Sequence, residues 1–386
     1  MGSFVLKTLE EVGTFYNGVT GKSKEDFVDG NAKFITYMNI FKNPSLRTDV
    51  EDTIRITEGE CQNTVQYGDI LFTTSSETPD ECGMSSVLEI QTNEPLYLNS
   101  FCFGFRFNDL SNIIPGFYKH LFRSSRIRAQ IAKTANGVTR FNVSKKLFAK
   151  IQIPLPPLPI QQLIVEILDK FTSLVSSLDS EIALRQKQYE YYRNKLLSFE
   201  EGEEGVEWKK LSDVCIVING RAYKQSELLD KGPYRVLRVG NFFSNDSWYY
   251  SDLELESKYY CVNGDLLYAW SASFGPHIWK EEKVIYHYHI WKLECQEPLD
   301  KKFMFYWLQS DNMTSQVSSE KHGATMAHLT KAMMEDLSLP IPSLDRQRSI
   351  VRTLDTFESL LTNLKKEREL RQKQYEYYRE KLLTFA

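Results

Sequence analysis

Two long stretches of the chain carry mostly apolar or aromatic residues at alternating spacings of four and three, and neither stretch contains a proline or a glycine. The first stretch has this seam at Ile164, Leu168, Phe171, Val175, Leu178, Ile182, Arg185, Tyr189, Tyr192 and Leu196. The second has it at Ile350, Leu354, Phe357, Leu361, Leu364, Arg368, Arg371, Tyr375, Tyr378 and Leu382. A heptad seam of this length predicts a coiled-coil helix. At 1.5 Å per residue, about 39 residues form a rod of roughly 58 Å.

A proline-rich run precedes each rod, at residues 153–159 and 339–343. Proline lacks an N–H group and biases the preceding residue toward extended geometry. We therefore expect the chain to leave a globular part in an extended form and then to enter the helix. A ligand for a proline-recognising module is the less favoured alternative, because both runs open directly into helical patterns.

The segments before the rods predict mixed α and β structure. Strand-like runs cover residues 33–39, 70–74, 234–239 and 284–293, and shorter helical patterns cover 114–131 and 302–318. Gly-Asp and Asn-Gly turns punctuate them. The predicted fold class is α+β, with two mixed α/β globular domains separated by two long helices in an antiparallel coiled coil. The predicted boundaries are 1–155 for the first domain, 156–200 for the first helix, 201–341 for the second domain and 342–386 for the second helix.

The whole pattern occurs twice. The nine residues RQKQYEYYR begin at Arg185 and recur unchanged at Arg371, and residues 137–199 match residues 323–385 at 30 of 63 positions. The N-terminal parts also align, at an offset near 202 residues. An internal repeat predicts a pseudo-twofold molecule in which each rod pairs with its own copy. The alternative is that each rod dimerises with another chain.

Composition and charge exclude several classes of protein. The 386 residues are 42% hydrophobic and 25% charged, which excludes a disordered chain, and the net charge of −4 excludes a wholly basic nucleic-acid coat. No apolar run is long enough to span a membrane, and the N-terminus lacks the pattern of a secretion signal. The six cysteines form no CxxC motif, so we expect reduced thiols in a cytoplasmic protein.

Charge is unevenly distributed along the chain. Residues 110–165 contain nine basic residues and no aspartate or glutamate. Such a surface neutralises DNA phosphates, and arginine can also bond guanine edges, whereas a solvated helix face is normally mixed in sign. The DNA-binding candidates in the first copy are Arg123, Arg126, Arg128, Lys133 and Arg140. In the second copy they are Arg221, Tyr223, Lys224, His322 and His328.

No catalytic motif is present that would make the chain an enzyme. The sequence Gly21-Lys22-Ser23 lacks the upstream glycine of a phosphate loop, so a chance match in a turn is the better interpretation. The pair His287 and His289 could supply half of a metal site, but no carboxylate or cysteine lies nearby at ligand spacing. A structural or DNA-facing role is the favoured alternative. We therefore predict no catalytic residue and no metal site.

The doubled layout, the proline exits, the glutamines Gln161 and Gln347 with the Ile-Val pairs that follow, and the repeated RQKQYEYYR segments resemble the specificity subunit of type I restriction–modification systems. The resemblance implies two target-recognition domains, each reading half of a split DNA sequence. It also implies two methyltransferase subunits that bind S-adenosylmethionine, with restriction subunits in a larger complex, and no cofactor on this chain.

We expect the tyrosine-rich tails to face the methyltransferase. The partner-binding candidates are Arg185, Tyr189, Tyr192, Arg371, Tyr375 and Tyr378. The competing interpretation is a coiled-coil adaptor without sequence-specific DNA binding.

Overall fold

The computed structural model describes residues 4–243, 245–271, 274–319 and 329–385. The chain forms two compact units, of which the first is made of two separate ranges of the sequence. Unit 1 comprises residues 1–179 and 367–386, and unit 2 comprises residues 180–366. The mixed α+β fold class with two long helices is confirmed.

The N-terminal part of the chain contains thirteen strands among its described residues. They are β1 (Val5–Thr8), β2 (Gly13–Asn17), β3 (Ala32–Ile35), β4 (Thr53–Ile54), β5 (Thr64–Val65), β6 (Ile70–Thr73), β7 (Ser75–Ser76), β8 (Ser85–Val87), β9 (Leu96–Leu98), β10 (Cys102–Phe107), β11 (Ala135–Asn136), β12 (Phe141–Val143) and β13 (Gln152–Leu155). The α-helices are α1 (Leu9–Val12), α2 (Tyr37–Lys42), α3 (Pro115–Leu121), α4 (Ser125–Ala132), α5 (Lys145–Phe148) and the long α6 (Leu158–Leu196). Single 3-10 turns occur at Lys24–Phe27 and Pro79–Glu81.

The rest of the chain repeats this order with fewer described strands. They are β14 (Val206–Lys210), β15 (Cys215–Asn219), β16 (Tyr234–Leu237), β17 (Tyr249–Ser251), β18 (Tyr260–Cys261), β19 (Leu266–Ala269), β20 (Gly275–Ile278), β21 (Val284–Tyr286), β22 (Ile290–Cys295) and β23 (Ser338–Pro342). The α-helices are α7 (Leu211–Val214), α8 (Lys301–Trp307), α9 (Asp311–Ser319), α10 (Lys331–Asp336) and the long α11 (Leu344–Leu382). The 3-10 turns are Gln225–Glu227, Val239–Phe242 and Ser257–Tyr259.

The two units share the strand order of their two four-stranded sheets. A four-stranded antiparallel sheet has the order β2-β10-β6-β8 in unit 1 and β15-β22-β19-β20 in unit 2. A second four-stranded sheet has the order β4-β3-β9-β5 in unit 1 and β17-β16-β21-β18 in unit 2. The central pair of the second sheet is parallel in both units, β3 with β9 and β16 with β21. The repeat detected in the sequence is therefore a repeat of strand order.

Each proline run forms an edge strand before its long helix. Strand β13 pairs with β1, and β23 pairs with β14, both antiparallel. A strand in a two-stranded sheet tolerates proline because it pairs on one side only and needs no N–H donor on the other. The predicted extended exits are thus strands that tie the entry of each long helix to the first strand of the same unit.

Several predicted elements are shorter in the structure or are divided. The run predicted as a strand over residues 33–39 ends at Ile35, because the Thr36 side chain accepts a hydrogen bond from the Asn39 N–H and caps α2. The helical pattern over 114–131 divides into α3 and α4, and the pattern over 302–318 divides into α8 and α9. The run over 284–293 divides into β21 and β22, which belong to different sheets. Hydrophobic periodicity continued across each of these breaks, so it did not reveal them.

A buried glutamine locks the start of each long helix. The Gln161 side chain accepts from the Ile114 N–H at 2.9 Å and donates to the carbonyl oxygens of Asn112 at 2.9 Å and Pro156 at 2.8 Å. The Gln347 side chain accepts from the Asp300 N–H at 2.8 Å and donates to Pro298 at 2.9 Å and Pro342 at 2.8 Å. Both side chains are fully buried, so their loss would leave three backbone groups without partners.

The long helices pair antiparallel within each unit. In unit 1, Phe171 stacks on Tyr378 with ring centroids 5.3 Å apart, and Asp179 accepts a hydrogen bond from Arg368 at 2.9 Å. In unit 2, Tyr192 stacks on Phe357 at 5.6 Å. Positions on α6 rise as their partners on α11 fall, which is the antiparallel arrangement predicted from the heptad seams.

Two further features bear on the class of protein. All six cysteines are free thiols. Among the described residues, no helix combines the length and the apolar character needed to cross a bilayer.

Candidate nucleic-acid interface and partner surfaces

Two of the predicted DNA-binding arginines are committed to the interior of unit 1. Arg123 donates to the carbonyl oxygens of Ser85 at 3.0 Å, Ile40 at 3.0 Å and Phe41 at 3.1 Å. Arg128 donates to the carbonyls of Gly83 and Asp80, both at 2.6 Å, and Cys82 at 2.5 Å. Burial lowers the pKa of each guanidinium to about 10, which leaves both charged at neutral pH. Their geometry favours a role in holding backbone segments together over a contact with DNA.

The other basic residues of the stretch 110–165, which contains no aspartate or glutamate, are mostly exposed. Lys119 is the exception, because it is buried between Glu89 at 3.1 Å and Asp169 at 2.8 Å. The exposed residues are Arg126, Lys133, Arg140, Lys145, Lys146 and Lys150. Arg126 donates to the Phe385 carbonyl, and Arg140 is held by the Ser75 hydroxyl at 3.0 Å. The predicted cationic surface of unit 1 therefore depends on six residues, of which Arg126, Lys133 and Arg140 were DNA-binding candidates.

Phe101 is a large exposed side chain that lies between two clefts of unit 1, with 59% of its surface accessible. A cleft of about 700 Å³ on one side is lined by Asn17, Asn99 and Ser100, and also by Lys24. A cleft of about 570 Å³ on the other side is lined by polar residues and by two rings. These residues include Ser75, Ser76, Glu77, Thr139, Arg140, Tyr37 and Phe41. Phe101 lines both clefts.

The turn that carries Phe101 joins β9 of one sheet to β10 of the other, and we call residues 99–101 the tip loop of unit 1. Asn99 N–H donates to Ile35 O at 3.0 Å, and Cys102 N–H donates to Asn99 O at 3.0 Å. The Asn99 side-chain oxygen accepts from the Phe101 N–H at 2.7 Å, and the Phe101 carbonyl accepts from the Thr74 N–H at 2.9 Å. Four hydrogen bonds hold three residues, so the exposed ring stands on a fixed backbone.

The tip loop of unit 2, residues 287–289, has the same set of backbone hydrogen bonds. His287 N–H donates to Leu237 O at 2.9 Å, Ile290 N–H donates to His287 O at 2.9 Å, and Trp270 N–H donates to His289 O at 3.2 Å. The His287 Nδ1 takes the place of the Asn99 side-chain oxygen, and accepts from the His289 N–H over a longer 3.5 Å. Burial, with the nearby charges of His289 and Arg238, lowers the pKa of His287 to about 4 and keeps Nδ1 free to accept.

Aromatic rings surround the tip loop of unit 2. The Tyr288 side chain is 40% exposed, and the Trp270 indole N–H donates to the Tyr288 carbonyl at 2.9 Å. The His289 ring lies 5.1 Å from the Trp270 ring. His277 stacks on Phe242 instead, with ring centroids 4.0 Å apart. Within the described residues no three potential ligands converge on a metal site.

The remaining candidates of unit 2 have mixed environments. Arg221 forms a bidentate pair with Glu227 at 2.9 and 2.8 Å, so its charge is neutralised locally. Tyr223 stacks beside His287 with ring centroids 6.4 Å apart, and Lys224 is exposed. His322 and His328 lie outside the described residues. DNA contact by these residues stays a prediction.

Lys22 of the Gly-Lys-Ser sequence has an internal role. Its ammonium group donates to Glu60 at 2.6 Å and to the Arg55 carbonyl at 2.7 Å, and its side chain is only 8% exposed. This ammonium group therefore links the turn at Lys22 to the segment that contains Arg55 and Glu60.

The tyrosines predicted to face a partner are largely used inside their own units. Tyr189 and Tyr375 are buried, and the Tyr375 hydroxyl lies 3.1 Å from His120 Nδ1. Tyr192 and Tyr378 stack on Phe357 and Phe171 across the helix pairs described above. Arg185 and Arg371 each pair with a glutamate one turn earlier on the same helix, both at 2.7 Å.

Four other residues in and around the repeated segment are exposed at equivalent positions in both copies. We call this set the repeated face. It comprises Leu184, Lys187, Tyr191 and Lys195 in unit 2, and Leu370, Lys373, Tyr377 and Lys381 in unit 1. The two tyrosines are each 59% exposed, and the two leucines are 64% and 52% exposed. A lysine ammonium lies over each tyrosine ring, at 5.7 Å in unit 2 and 5.6 Å in unit 1.

Sequence reasoning missed both the tip loop of unit 1 and the repeated face. The two tip loops are offset by 188 residues, a value between the 202 of the N-terminal parts and the 186 of the tails, so ungapped comparison did not align them. The signal for the repeated face was present, since Tyr191 and Tyr377 lie outside the heptad seam. Residues on the outer side of a paired helix are the ones available to another protein.

A family model described as the type I restriction modification DNA specificity domain matches residues 1–184 and 203–372. The chain is 30% identical over 269 residues to the EcoR124I/EcoR124II type I restriction enzyme specificity subunit of Escherichia coli, covering 63% of this chain and 64% of that relative. It is 31% identical over 269 residues to a putative type I restriction enzyme specificity subunit of Haemophilus influenzae, covering 65% of this chain and 68% of that one. The chain thus matches about two thirds of the length of these curated relatives.

Solved structures show the same fold. The S subunit of a type I restriction–modification system from M. genitalium superposes with a TM-score of 0.55 at 16% identity, covering 100% of this chain and 97% of that one. A structure from a study of complex assembly and conformational transition of the type I R-M system superposes with a TM-score of 0.65 at 18% identity, covering 98% and 96%. With the family model matched in both halves, the chain belongs to the family of type I restriction–modification DNA specificity domains.

Proposed function

We propose that this chain is the DNA sequence-recognition subunit of a type I restriction–modification complex and that it binds a bipartite, asymmetric DNA site. The observation that carries this proposal is the pairing of one fold with two different surfaces. Both units have the same strand order, yet their tip loops read Asn-Ser-Phe and His-Tyr-His. Two copies of a fold with unlike loop chemistry suit two unlike half-sites.

Catalysis belongs to partner subunits in this proposal. The named relatives are specificity subunits, and S-adenosylmethionine would bind to the methyltransferase. This chain would supply DNA affinity through its exposed cations and sequence discrimination through its loops. Restriction subunits would join the same complex.

We also propose that the repeated face recruits two methyltransferase subunits. Two copies of one partner require two copies of one surface, and Leu184, Tyr191, Leu370 and Tyr377 provide identical exposed side chains at equivalent positions. Exposed leucine and tyrosine on a rigid helix supply apolar contact area, and tyrosine is enriched at interfaces. This surface replaces the predicted one at Tyr189 and Tyr375, which are buried.

The salt dependence of DNA binding tests the recognition proposal. A double variant, Lys133→Ala with Lys146→Ala, removes two exposed cations of unit 1. If both contact phosphates, the slope of log K against log salt should become shallower by about 0.9 per contact. The measurement is a filter-binding titration of the full chain on duplex DNA.

The matched control removes the same charge elsewhere. Lys365 and Lys366 are exposed on α11, and their double alanine variant should leave the slope unchanged. Arg123 and Arg128 are avoided because alanine there would leave buried carbonyls without donors. A slope unchanged in the Lys133/Lys146 variant would count against a DNA surface here, and a chain that shifts no duplex at all would favour the adaptor alternative.

A further inference from the structure

The tip loop of unit 1 has the physical properties of a reading element. Phe101 leaves 59% of its surface in water, at the point where the chain crosses from the second sheet to the first. Leaving an aromatic ring exposed forgoes the free energy that its burial would supply. The ring is therefore available for contact with a partner.

The loop is held in one geometry before any partner arrives. The Asn99 side chain bonds the Phe101 N–H at 2.7 Å, and backbone bonds on both sides anchor the turn to β3 and to Thr74. A preorganised loop loses little conformational entropy on binding, which is what a contact that discriminates between similar partners requires.

The chemistry beside Phe101 matches the edges of base pairs. Asn17 and Ser100 line the first cleft, and amide and hydroxyl groups both donate and accept hydrogen bonds. Arg140 and Glu77 line the second cleft, so a donor suited to guanine and an acceptor suited to cytosine lie within the same cleft. The apolar ring between them suits a thymine methyl group or a base face.

The second unit supplies an independent observation. Its tip loop repeats the backbone hydrogen bonds, so Phe101 corresponds to His289, and Ser100 corresponds to the exposed Tyr288. The backbone is retained while the side chains change, although both loops keep an aromatic or imidazole ring. A change of side chains on a constant support is the pattern of an element that sets specificity.

We propose that the tip loop of unit 1 contacts base pairs directly in double-stranded DNA, with Phe101 as the residue that sets specificity in the half-site read by unit 1. The tip loop of unit 2 occupies the equivalent position in the other half-site. This inference rests on the proposed function and deepens it, since it names the loop that reads the bases.

The experiment is an in vitro selection with the full chain in complex with its methyltransferase partner. The probe is a library of DNA duplexes of randomised sequence, selected in parallel with the wild-type chain and with Phe101→Ala. The variant should lose preference at one or two positions of one half-site and keep the other half-site unchanged. Its affinity for the sequence selected by the wild type should fall about tenfold or more, the cost of one mismatched base pair.

Two further variants control the result. Ile90→Ala removes another exposed apolar side chain of unit 1, with 53% of its surface accessible, and should select the wild-type sequence. Tyr288→Ala should relax the half-site that Phe101→Ala leaves unchanged. Affinity for unselected duplex should be the same for every variant, because phosphate contacts are retained.

The outcomes separate the inference from the function on which it rests. If Phe101→Ala selects the wild-type sequence with equal affinity, or relaxes both half-sites equally, the tip loop is not the reading element. Loss of the methyltransferase from the Phe101→Ala complex would show that a protein covers the ring, and would also overturn the inference. If the wild-type complex enriches no sequence at all, the proposed function itself fails.

Discussion

Asn99 and His287 occupy the same position in the two tip loops and cap them with different atoms. The asparagine oxygen accepts a hydrogen bond at any pH near neutrality, whereas the His287 Nδ1 accepts only while the imidazole is neutral. The lowered pKa of His287 meets this need, because desolvation and nearby positive charge both disfavour the imidazolium. The same loop conformation is therefore independent of pH in unit 1 and sensitive to pH in unit 2.

The substitution His287→Asn tests this difference. The pKa of His287 falls from 6.5 to about 4 on folding, so between these values the unfolded chain holds a proton that the folded chain lacks. Stability therefore decreases as the pH falls from about 6.5 toward 4. The asparagine variant should match the wild type near pH 7 and should lose less stability near pH 5, as measured by urea unfolding.

Titrating groups that do not interact with His287 cancel in this comparison. His120, whose pKa burial also lowers, is present in both proteins. The variant His287→Ala removes the titration and the cap together, so it should be less stable than His287→Asn even near pH 7. If wild type and His287→Asn lose stability in parallel, the imidazole does not act as the cap.

At the residue scale the sequence did not reveal contacts between a side chain and backbone groups that are far away along the chain. Gln161 and Gln347 were recognised as part of a repeated motif, but two of the three hydrogen bonds of each side chain go to backbone groups 47 and 49 residues away. Arg123 and Arg128 read as surface cations because an arginine on an amphipathic helix usually is one. Here carbonyls from other segments reach the guanidinium groups, and the charge pattern of a single stretch contains no sign of them.

The two long helices are the elements that the sequence predicted best. A heptad seam reports directly which side of a helix is covered, and α6 and α11 pair along that seam in both units. The strands were harder to predict, since β21 and β22 form one apolar run that serves two sheets. The same seam identifies the opposite side of each helix as free, which explains why Tyr191 and Tyr377 are exposed while Tyr189 and Tyr375 are buried.

The outer side of the helices yields a prediction about assembly. The variant Tyr191→Ala with Tyr377→Ala should weaken or abolish co-elution with the methyltransferase in gel filtration, because two exposed aromatic anchors are lost. Its thermal unfolding should be almost unchanged, because exposed side chains contribute little to folding.

Single variants make the test sharper. If each tyrosine serves one partner subunit, Tyr191→Ala alone and Tyr377→Ala alone should each give a complex with one methyltransferase in place of two. The pair Tyr189→Ala with Tyr375→Ala is the contrasting variant, which should unfold at lower temperature because both rings are buried. An intact complex with both exposed tyrosines removed would refute the repeated face as the docking surface.

On the scale of the whole molecule, each unit is completed by a helical segment from the other half of the chain. Unit 1 takes residues 367–386 from the C-terminal half, and Tyr375 and Leu383 from this segment lie in its core. The corresponding segment of the first half, residues 181–199, is identical to residues 367–385 at 15 of 19 positions. We call residues 181–199 and 367–385 the closing segments, and they are nearly interchangeable in sequence.

This interchange predicts the behaviour of a half-chain. A protein of residues 1–200 lacks the segment that completes unit 1 but carries its near copy, so two such chains can exchange segments and form a symmetric dimer. Sedimentation should show a dimer, and Tyr189→Ala should weaken it, because Tyr189 would take the place of Tyr375 beside His120. A stable, cooperatively unfolding monomer would contradict the prediction.

The near identity of the closing segments also has a consequence for how such genes diversify. A genetic crossover within the codons for the repeated segment would join a globular domain encoded by another gene to this chain. The helical turns at the junction would already match those that they replace. The added domain would need no compensating changes in the proposed docking surface, since the repeated face lies within the exchanged stretch itself. If the chain acts as proposed, it would acquire a new target sequence in one genetic step, and the proposed methyltransferase partner would stay the same.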